Sequence, residues 1–399
     1  MVSRGIRDKV AIVGMGCTPF GEHWDRSTED LLIDATAEAV ASTQLTVDAI
    51  DAFWLGTAGS GTSGLTLSRA LRTDKPVTRV ENMCATGSEA LRNACYAVAS
   101  GAYDTAMAIG VEKLKDSGFS GLVGYPPPSD GTLPETTAPA NFSLLPPAYA
   151  RKYGVDPDEL AEVLARIAVK NHYNGARNPR AQFRKEVSVE TVRAAPRVAG
   201  SLGVFDCSGV ADGAAAAIVV PTEHAYRYTD KPLFVKALSL VAGPAAGYLD
   251  SEYDFTSFPE TVSSARDAYA QAGISDPAAE LALAEVHDCF TPTELILMED
   301  FGFAERGQAW KDVLAGTFDL HGDLPVNPDG GLKAFGHPIG ASGLRMMFEC
   351  WLQLRGAAPA DRTIRTVAAG RSLGLTHNLG GGPGEAVSFV GIVGTELSA

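Results

Sequence analysis

Twice in this chain a glycine-flanked turn carries one reactive side chain to the start of an apolar helix, and this repetition constrains the fold more than any other feature. The first instance is Asn82-Met83-Cys84-Ala85-Thr86-Gly87-Ser88, which follows a strand-like Val77–Glu81 and leads into a helix with apolar residues at 90, 91, 94, 95 and 98. The second is the run Gly330–Gly343, which holds His337 and feeds a helix with apolar residues at 344, 347, 348, 351 and 354. Residues three and four apart lie on one helix face, so each helix has a stripe to bury. After each helix come a strand, a glycine-rich turn and a final apolar strand: Thr105–Val111 and Asp206–Val220 in the first case, Leu373–Leu379 and Ala386–Val393 in the second. The pattern is a duplication of architecture. A chain of 399 residues is too long for one ordinary core. We divide it into halves at 1–225 and 226–399.

The remaining elements fit the same scheme. Lys9–Gly14 reads as a buried opening strand, Ser27–Ser42 as a helix with a capping signal, Ala49–Gly56 as a strand and Leu65–Leu71 as a short helix. Gly101 sits where a helix C-terminal glycine belongs. In the second half Leu233–Leu238 and Leu281–His287 read as strands, and Thr261–Ala272 and Thr293–Phe301 as helices. From about 115 to 200 the pattern breaks: prolines cluster at 126–128 and 146–147, then helical periodicity returns over Pro157–His172. This is an inserted, largely helical loop domain. Alternating strands and helices predict an α/β fold with mainly parallel sheets.

Charge and composition exclude several classes. A net charge of −15 without a basic stripe argues against nucleic-acid binding. No apolar run is long enough to span a bilayer, and Met1–Lys9 lacks the marks of a signal peptide. Six cysteines without CxxC pairs argue against a disulfide framework and against a zinc site, and suit a reducing cytoplasm. The Gly56–Gly64 run lacks the lysine of a phosphate-binding loop, and there is no G-x-S-x-G elbow.

Four segments carry candidate chemistry. Cys84 at a helix start gains from the helix dipole, which lowers a thiol pKa and favours thiolate. Cys17, Cys95, Cys207 and Cys350 read as buried and inert. His337, in Gly-His-Pro-Ile-Gly-Ala-Ser-Gly, is held on a rigid turn and suits a base to a nearby thiol. Alone, it reads equally well as a turn histidine exposed to water. His287-Asp288-Cys289-Phe290 ends a strand, where open α/β sheets face their ligand crevice. Cys289 there suits proton transfer to a substrate carbon, His287 a hydrogen bond to a thioester oxygen, and Asp288 a structural loop contact. Finally, glycines in His377-Asn378-Leu379-Gly380-Gly381-Gly382 let backbone amides approach a reacting oxyanion, with His377 more structural.

Taken together and in this order, these segments resemble the thiolase superfamily, in its sterol-carrier-protein-type branch. NMCATGS looks like the nucleophilic cysteine segment, HDCF is a hallmark of this branch, and GHPIGASG matches its histidine motif. One departure is informative. Conventional thiolases carry C-x-G-G-G in the last segment, where this chain has Asn378 in NLGGG. The resemblance implies that Cys289 takes over the missing thiol's acid/base role. A β-ketoacyl synthase would lack Cys289, and the related steroid side-chain aldolases depart at the cysteines.

The resemblance also implies a five-layered αβαβα sandwich and a reaction through an acyl-Cys84 intermediate. In it His337 is the base, Cys289 the acid, His287 and His337 donors to the enolate oxygen, and the Cys84 and Gly380 amides the oxyanion hole. The implied substrates are a 3-oxoacyl-CoA and coenzyme A, with no tightly bound cofactor and no metal. Implied partners are a second copy of the chain and a small zinc-ribbon/OB-fold subunit, since no sterol-carrier domain is expected within or after residue 399. The catalytic subunit of a benzoylsuccinyl-CoA-type thiolase is one such case. Acyl transfer to a non-CoA carbon acceptor and a non-catalytic lipid-binding or scaffold role are the alternatives.

Overall fold

A computed structural model describes residues 5–117 and 137–398. The proline cluster at 126–128, with Tyr125, lies outside the described residues. Nine strands form the frame: β1 (Val10–Cys17), β2 (Ala52–Gly56), β3 (Val77–Val80), β4 (Ala106–Glu112), β5 (Gly213–Pro221), β6 (Leu233–Ala242), β7 (Leu281–Glu285), β8 (Leu373–Gly382) and β9 (Glu385–Gly394). Their spatial order is β3-β2-β4-β5-β1-β6-β9-β8-β7. Among the described residues, the N-terminal strands and the C-terminal strands pair only through a short β1/β6 ladder, Ala11 opposite Phe234 and Ile12 opposite Leu233. The halves also meet through a loop bridge between Cys207 and Phe290 and through helices.

Those helices are α1 (Thr28–Ala41), α2 (Thr86–Ala99), α3 (Pro157–Ala176), α4 (Pro259–Ala272), α5 (Thr291–Asp300), α6 (Gly331–Phe335) and α7 (Ser342–Leu354). α1 packs on β1 and β5, α4 on β6 and β9, and α2 and α7 pack on each other between the two sets of strands. The result is the expected five layers, with the two special helices in the middle layer. Burial explains the order. α7 is buried at every position but Leu352, because it has strands or helices on all sides. α1 buries only Leu31, Leu32, Ala35, Thr36 and Ala39, one stripe of an outer helix. Its start is fixed by a capping box in which Ser27 accepts from the Asp30 amide and Asp30 accepts from the Ser27 amide.

The strand directions differ from the sequence expectation. Only the two ends of the sheet are parallel, β3/β2/β4 and β8/β7; every pairing between them is antiparallel. The last strand of each half is the cause. β9 returns beside β8 through a tight turn that needs no crossover helix, and β5 inserts antiparallel between β4 and β1 after the excursion. Alternation along the sequence does not reveal a strand that comes back this way.

α3 runs four residues past the predicted end at His172 and starts on Asp156, which accepts the amides of Asp158 and Glu159. It lies across α5 and α6, and so covers the segment between β7 and α5 that contains Cys289. Two other boundaries move. β7 ends at Glu285, short of His287, and the glycine-rich run before α7 contains the single-turn α6. No helix of the described residues is long and apolar enough to cross a membrane.

Candidate active site

The two rhyming turns meet at the middle of the molecule, and glycine makes the meeting possible. A Cβ on Gly87 would lie 2.7 Å from the Gly340 carbonyl oxygen, and one on Gly343 would lie 2.6 Å from the Ser88 amide nitrogen. Gly110 of β4 is closed off by the same backbone, 2.9 Å from the Gly340 carbonyl carbon. The glycines of CATGS and GHPIGASG therefore let two helix starts touch backbone to backbone. That contact brings Cys84 and His337 to one place, although 253 positions separate them in the sequence.

Cys84, His287 and His337 present donor atoms that all lie within 4.8 Å of one another. Cys84 is not in the first helical turn. It sits two residues before α2, after Met83 with φ of 50°, in a turn held by Thr86, whose hydroxyl accepts from the Asn82 amide at 2.8 Å and donates to the Met83 carbonyl. Dense packing around its sulfur, more than the carboxylates of Glu81 and Glu112, pushes the thiol up to about 12. This corrects the expected thiolate: desolvation outweighs the helix dipole, so the resting group is the neutral thiol.

His337 is fully buried rather than exposed on a turn. Its Nδ1 lies 2.7 Å from Ser342 Oγ, and that hydroxyl is 3.0 Å from the Pro338 carbonyl oxygen. The hydroxyl has one proton, which goes to the carbonyl, so it accepts from Nδ1–H. Nε2 then carries the lone pair, and Nε2 is buried without a hydrogen-bond partner. Burial, with a smaller contribution from Arg345, depresses the imidazole to about 3. A neutral base with its lone pair free therefore faces a neutral thiol.

His287 stands with its ring centroid 5.4 Å from that of His337. Its backbone N–H donates to His377 Nδ1 at 3.4 Å, and His377 Nε2 reaches Thr261 Oγ1 and Ser388 Oγ, each at 3.2 Å. His377 thus supports the loop after β7 that carries His287. Burial keeps His287 well below the usual histidine range, helped by His337, His377 and Arg345.

Cys289 is 6% exposed, with Thr293 Oγ1 3.8 Å from its sulfur. Burial raises its thiol well above the ordinary value, and Cys84 adds to the rise. Its carbonyl accepts from the Ser208 amide at 2.8 Å. Asp288, between the two, points away into a buried network: it accepts from the Leu332 and Lys333 amides and from Asn171 Nδ2, which also donates to Glu294. Burial, with Glu294 nearby, pushes its carboxyl up to about 7. Asn171, Glu294 and Asn327, which donates to Glu294 and accepts from the Val286 amide, escaped sequence reasoning because none stands in a motif.

Gly380 packs against the nucleophile turn: a Cβ there would lie 2.8 Å from Met83 Cβ and 3.2 Å from the Cys84 amide nitrogen. Asn378 is fully buried and accepts from Ser88 Oγ at 2.6 Å. The Gly56–Gly64 turn cradles a carboxylate of the chain itself. Glu112 accepts from the Ala58 and Gly59 amides, from Thr57 Oγ1 at 3.2 Å and from Ser60 Oγ at 2.6 Å. Cys17, Cys95 and Cys350 are buried as expected, whereas Cys207 is only half-buried because it sits in the loop that borders Phe290.

Comparison with known proteins shows the family. The family described as "Thiolase, N-terminal domain" matches residues 10–223, and "Thiolase C-terminal domain-like" matches residues 245–390. An acetyl-CoA acetyltransferase of Methanothermobacter thermautotrophicus is 38% identical over 96% of this chain and 98% of its own length. Sterol carrier protein 2 of Homo sapiens is 32% identical over 93% and 70%, and the benzoylsuccinyl-CoA thiolase subunit BbsB of Thauera aromatica is 31% identical over 94% and 95%. Among solved structures, an Ltp2-ChsH2(DUF35) aldolase superposes with a TM-score of 0.81 at 23% identity, covering 99% of this chain and all of that one, a likeness of fold. With both halves matched and relatives aligned almost end to end, this chain belongs to the thiolase family, is related to its sterol-carrier-protein-type members, and is an acyltransferase.

Proposed function

We propose that the protein cleaves a 3-oxoacyl-CoA with coenzyme A, or runs the reverse Claisen condensation, through an acyl group carried on Cys84. The observation that carries this reading is the unpartnered Nε2 of His337, fixed by Ser342 beside the Cys84 thiol and His287. His337 Nε2 takes the Cys84 proton as the sulfur attacks the 3-oxo carbon. The oxyanion formed there is held by the Cys84 and Gly380 amides. The bond between C2 and C3 then breaks and its electrons pass to C2, leaving an enolate whose thioester oxygen accepts from His287 and from protonated His337. Cys289 gives its proton to C2, and acyl-CoA departs.

In the second half, coenzyme A passes its thiol proton to the Cys289 thiolate and attacks the acyl-Cys84. Collapse releases Cys84, which recovers its proton from His337. Neutral resting groups suit this cycle, because the proton moves only as the new bond forms.

The chain divides functionally at about 1–225 and 226–399, with Cys84 from the first part and His287, Cys289, His337 and Gly380 from the second. The working unit is a homodimer in the cytoplasm. Support for the dimer comes from β3, which ends the sheet and, among the described residues, pairs only with β2. Intact protein incubated with 3-oxoacyl-CoAs and analysed by mass spectrometry tests the reading. An acyl adduct on Cys84 that disappears in Cys84→Ala is expected; an adduct elsewhere, or thiolysis surviving the substitution, overturns it.

A second reading concerns the acyl group and the assembly. BbsB aligns along 95% of its length, and the superposed aldolase is a complex with a DUF35 protein. These relatives support an aromatic or branched 3-oxoacyl-CoA such as benzoylsuccinyl-CoA, and a small zinc-ribbon/OB-fold subunit beside this chain. Co-purification of a small zinc-containing protein tests it, and full activity of this chain alone would sink it.

A further inference from the structure

We infer that the cluster of Cys84, His287 and His337 is also a binding site for a soft divalent metal ion, with zinc the best fit, and that the metal and the acyl group compete for the same sulfur. The cysteines, without CxxC pairs, argued against zinc in the sequence; the fold supplies the proximity that spacing lacks. Among the described residues this is the one grouping of three or more histidine, cysteine or carboxylate donors close enough to hold an ion.

The donor set suits the metal. One thiolate and two neutral imidazoles are ligands that zinc prefers, and three protein ligands leave its fourth tetrahedral position open. At zinc bond lengths such donors stand roughly 3.5 Å apart. From within 4.8 Å they close up by about an ångström, within the reach of side-chain rotation. Both histidines have a free ring nitrogen: Nε2 of His337, which carries the lone pair, and Nδ1 of His287 are buried and lack partners. Ser342, which holds His337 Nδ1–H at 2.7 Å, fixes the tautomer as outer partners of zinc-bound histidines do.

The electrostatics balance in the metal's favour at the sulfur. Glu81 and Glu112 place negative charge near Cys84, while buried Arg345 opposes a cation on the histidine side. Cys289 is outside the set of mutually close donors, so a water or a substrate thiol fills the fourth position. Binding is balanced by one proton: the Cys84 S–H bond breaks, the S–metal bond forms, and the proton leaves to solvent. A metal-loaded molecule has no free nucleophile, so zinc acts as a reversible inhibitor that also shields the thiol.

The metal site rests on donor geometry alone, and its competition with the acyl group rests on the thiolase reading. The whole chain is titrated with cobalt(II), a spectroscopic stand-in for zinc. One equivalent should give thiolate-to-cobalt charge-transfer absorption and intense tetrahedral bands, both removed by zinc. Cys84→Ser should abolish the charge-transfer band, Cys289→Ala should keep it, and Ser342→Ala should weaken affinity about 10–100-fold. Zinc should slow alkylation of Cys84 by iodoacetamide at least tenfold, with reversal by a chelator. Circular dichroism verifies that each variant is folded. A wild-type protein without cobalt bands, a band that persists in Cys84→Ser, or one lost in folded Cys289→Ala overturns the site. Acylation of Cys84 in the metal-free protein is scored separately, so each idea can fail alone.

Discussion

His337 Nδ1 is held 2.7 Å from Ser342 Oγ, and this contact decides which nitrogen of the imidazole keeps its lone pair. Ser342 is the first residue of α7, so the helix that fills the middle layer also sets the tautomer of the base. Ser342→Ala removes the acceptor and frees both tautomers. We expect acylation of Cys84 to slow by about 10–100-fold with little change in KM, within the range general-base catalysis supplies. Single-turnover kinetics measure it, and an unchanged acylation rate would show that the serine is only packing.

The two thiols should fail differently. In Cys289→Ala, acylation of Cys84 by a simple acyl-CoA persists, while cleavage of the carbon–carbon bond falls by about 100-fold or more, because the proton donor to C2 is gone. Cys84→Ala loses both. Rapid-quench measurement of acyl-enzyme beside steady-state thiolysis separates them; equal loss in Cys289→Ala would make that residue structural.

Gly110 should be intolerant for a reason of space. A Cβ there would meet the Gly340 carbonyl carbon at 2.9 Å and Ala341 Cα at 3.0 Å, and all these atoms are backbone that cannot rotate away. Gly110→Ala is expected to cost about 1–3 kcal/mol of stability. It should also lower activity by displacing the His337 turn. Urea unfolding and thiolysis on the same preparation provide the measurement.

One share of the acid sensitivity belongs to a group away from the chemistry. Burial, then Lys333, depresses His172 to about 4, and its Nδ1 is buried without a partner. A folded pKa below the ordinary 6.5 means that the unfolded chain binds the proton more readily. This stabilising term is complete above 6.5 and is lost as pH falls from there to about 4. In His172→Gln the loss of stability over that window should be smaller, by up to about 3 kcal/mol at the acid end. Chemical denaturation across the window reads the difference. A parallel decline in both proteins would place the acid sensitivity elsewhere.

The pH dependence of acylation should show the same physics at the site. With the thiol pushed up to about 12 and His337 down to about 3, neither group titrates near neutrality. The single-turnover rate is therefore expected to be flat between about pH 5 and 9, whereas an ordinary histidine base would give a rising limb near its usual value. A sigmoid centred near 6.5 would show that His337 is more hydrated than its burial indicates.

Much of this was legible in the chain. Periodicity located the helices after Cys84 and His337, the Ser27 capping signal marked the start of α1, and the shared grammar of the two halves showed a duplication, while the five layers followed from the family resemblance. These are local properties: a stripe of apolar residues, a cap and a glycine turn act over a few positions. The residue types at the site were legible for the same reason, since each sits in its own short motif.

What local signals could not carry was decided by the tertiary structure. The antiparallel returns of β5 and β9 depend on where a strand finds its partner, and pairing is a long-range choice. The protonation states reversed for the same reason. From the sequence Cys84 is a thiol near a helix dipole; in the fold it is a partly buried thiol packed among protein atoms, and desolvation is the larger energy. The sequence by itself determined which residues stand at the two helix starts. Only the packing of α2 against α7, through glycines that admit backbone to backbone, decided that Cys84, His287 and His337 meet at one place.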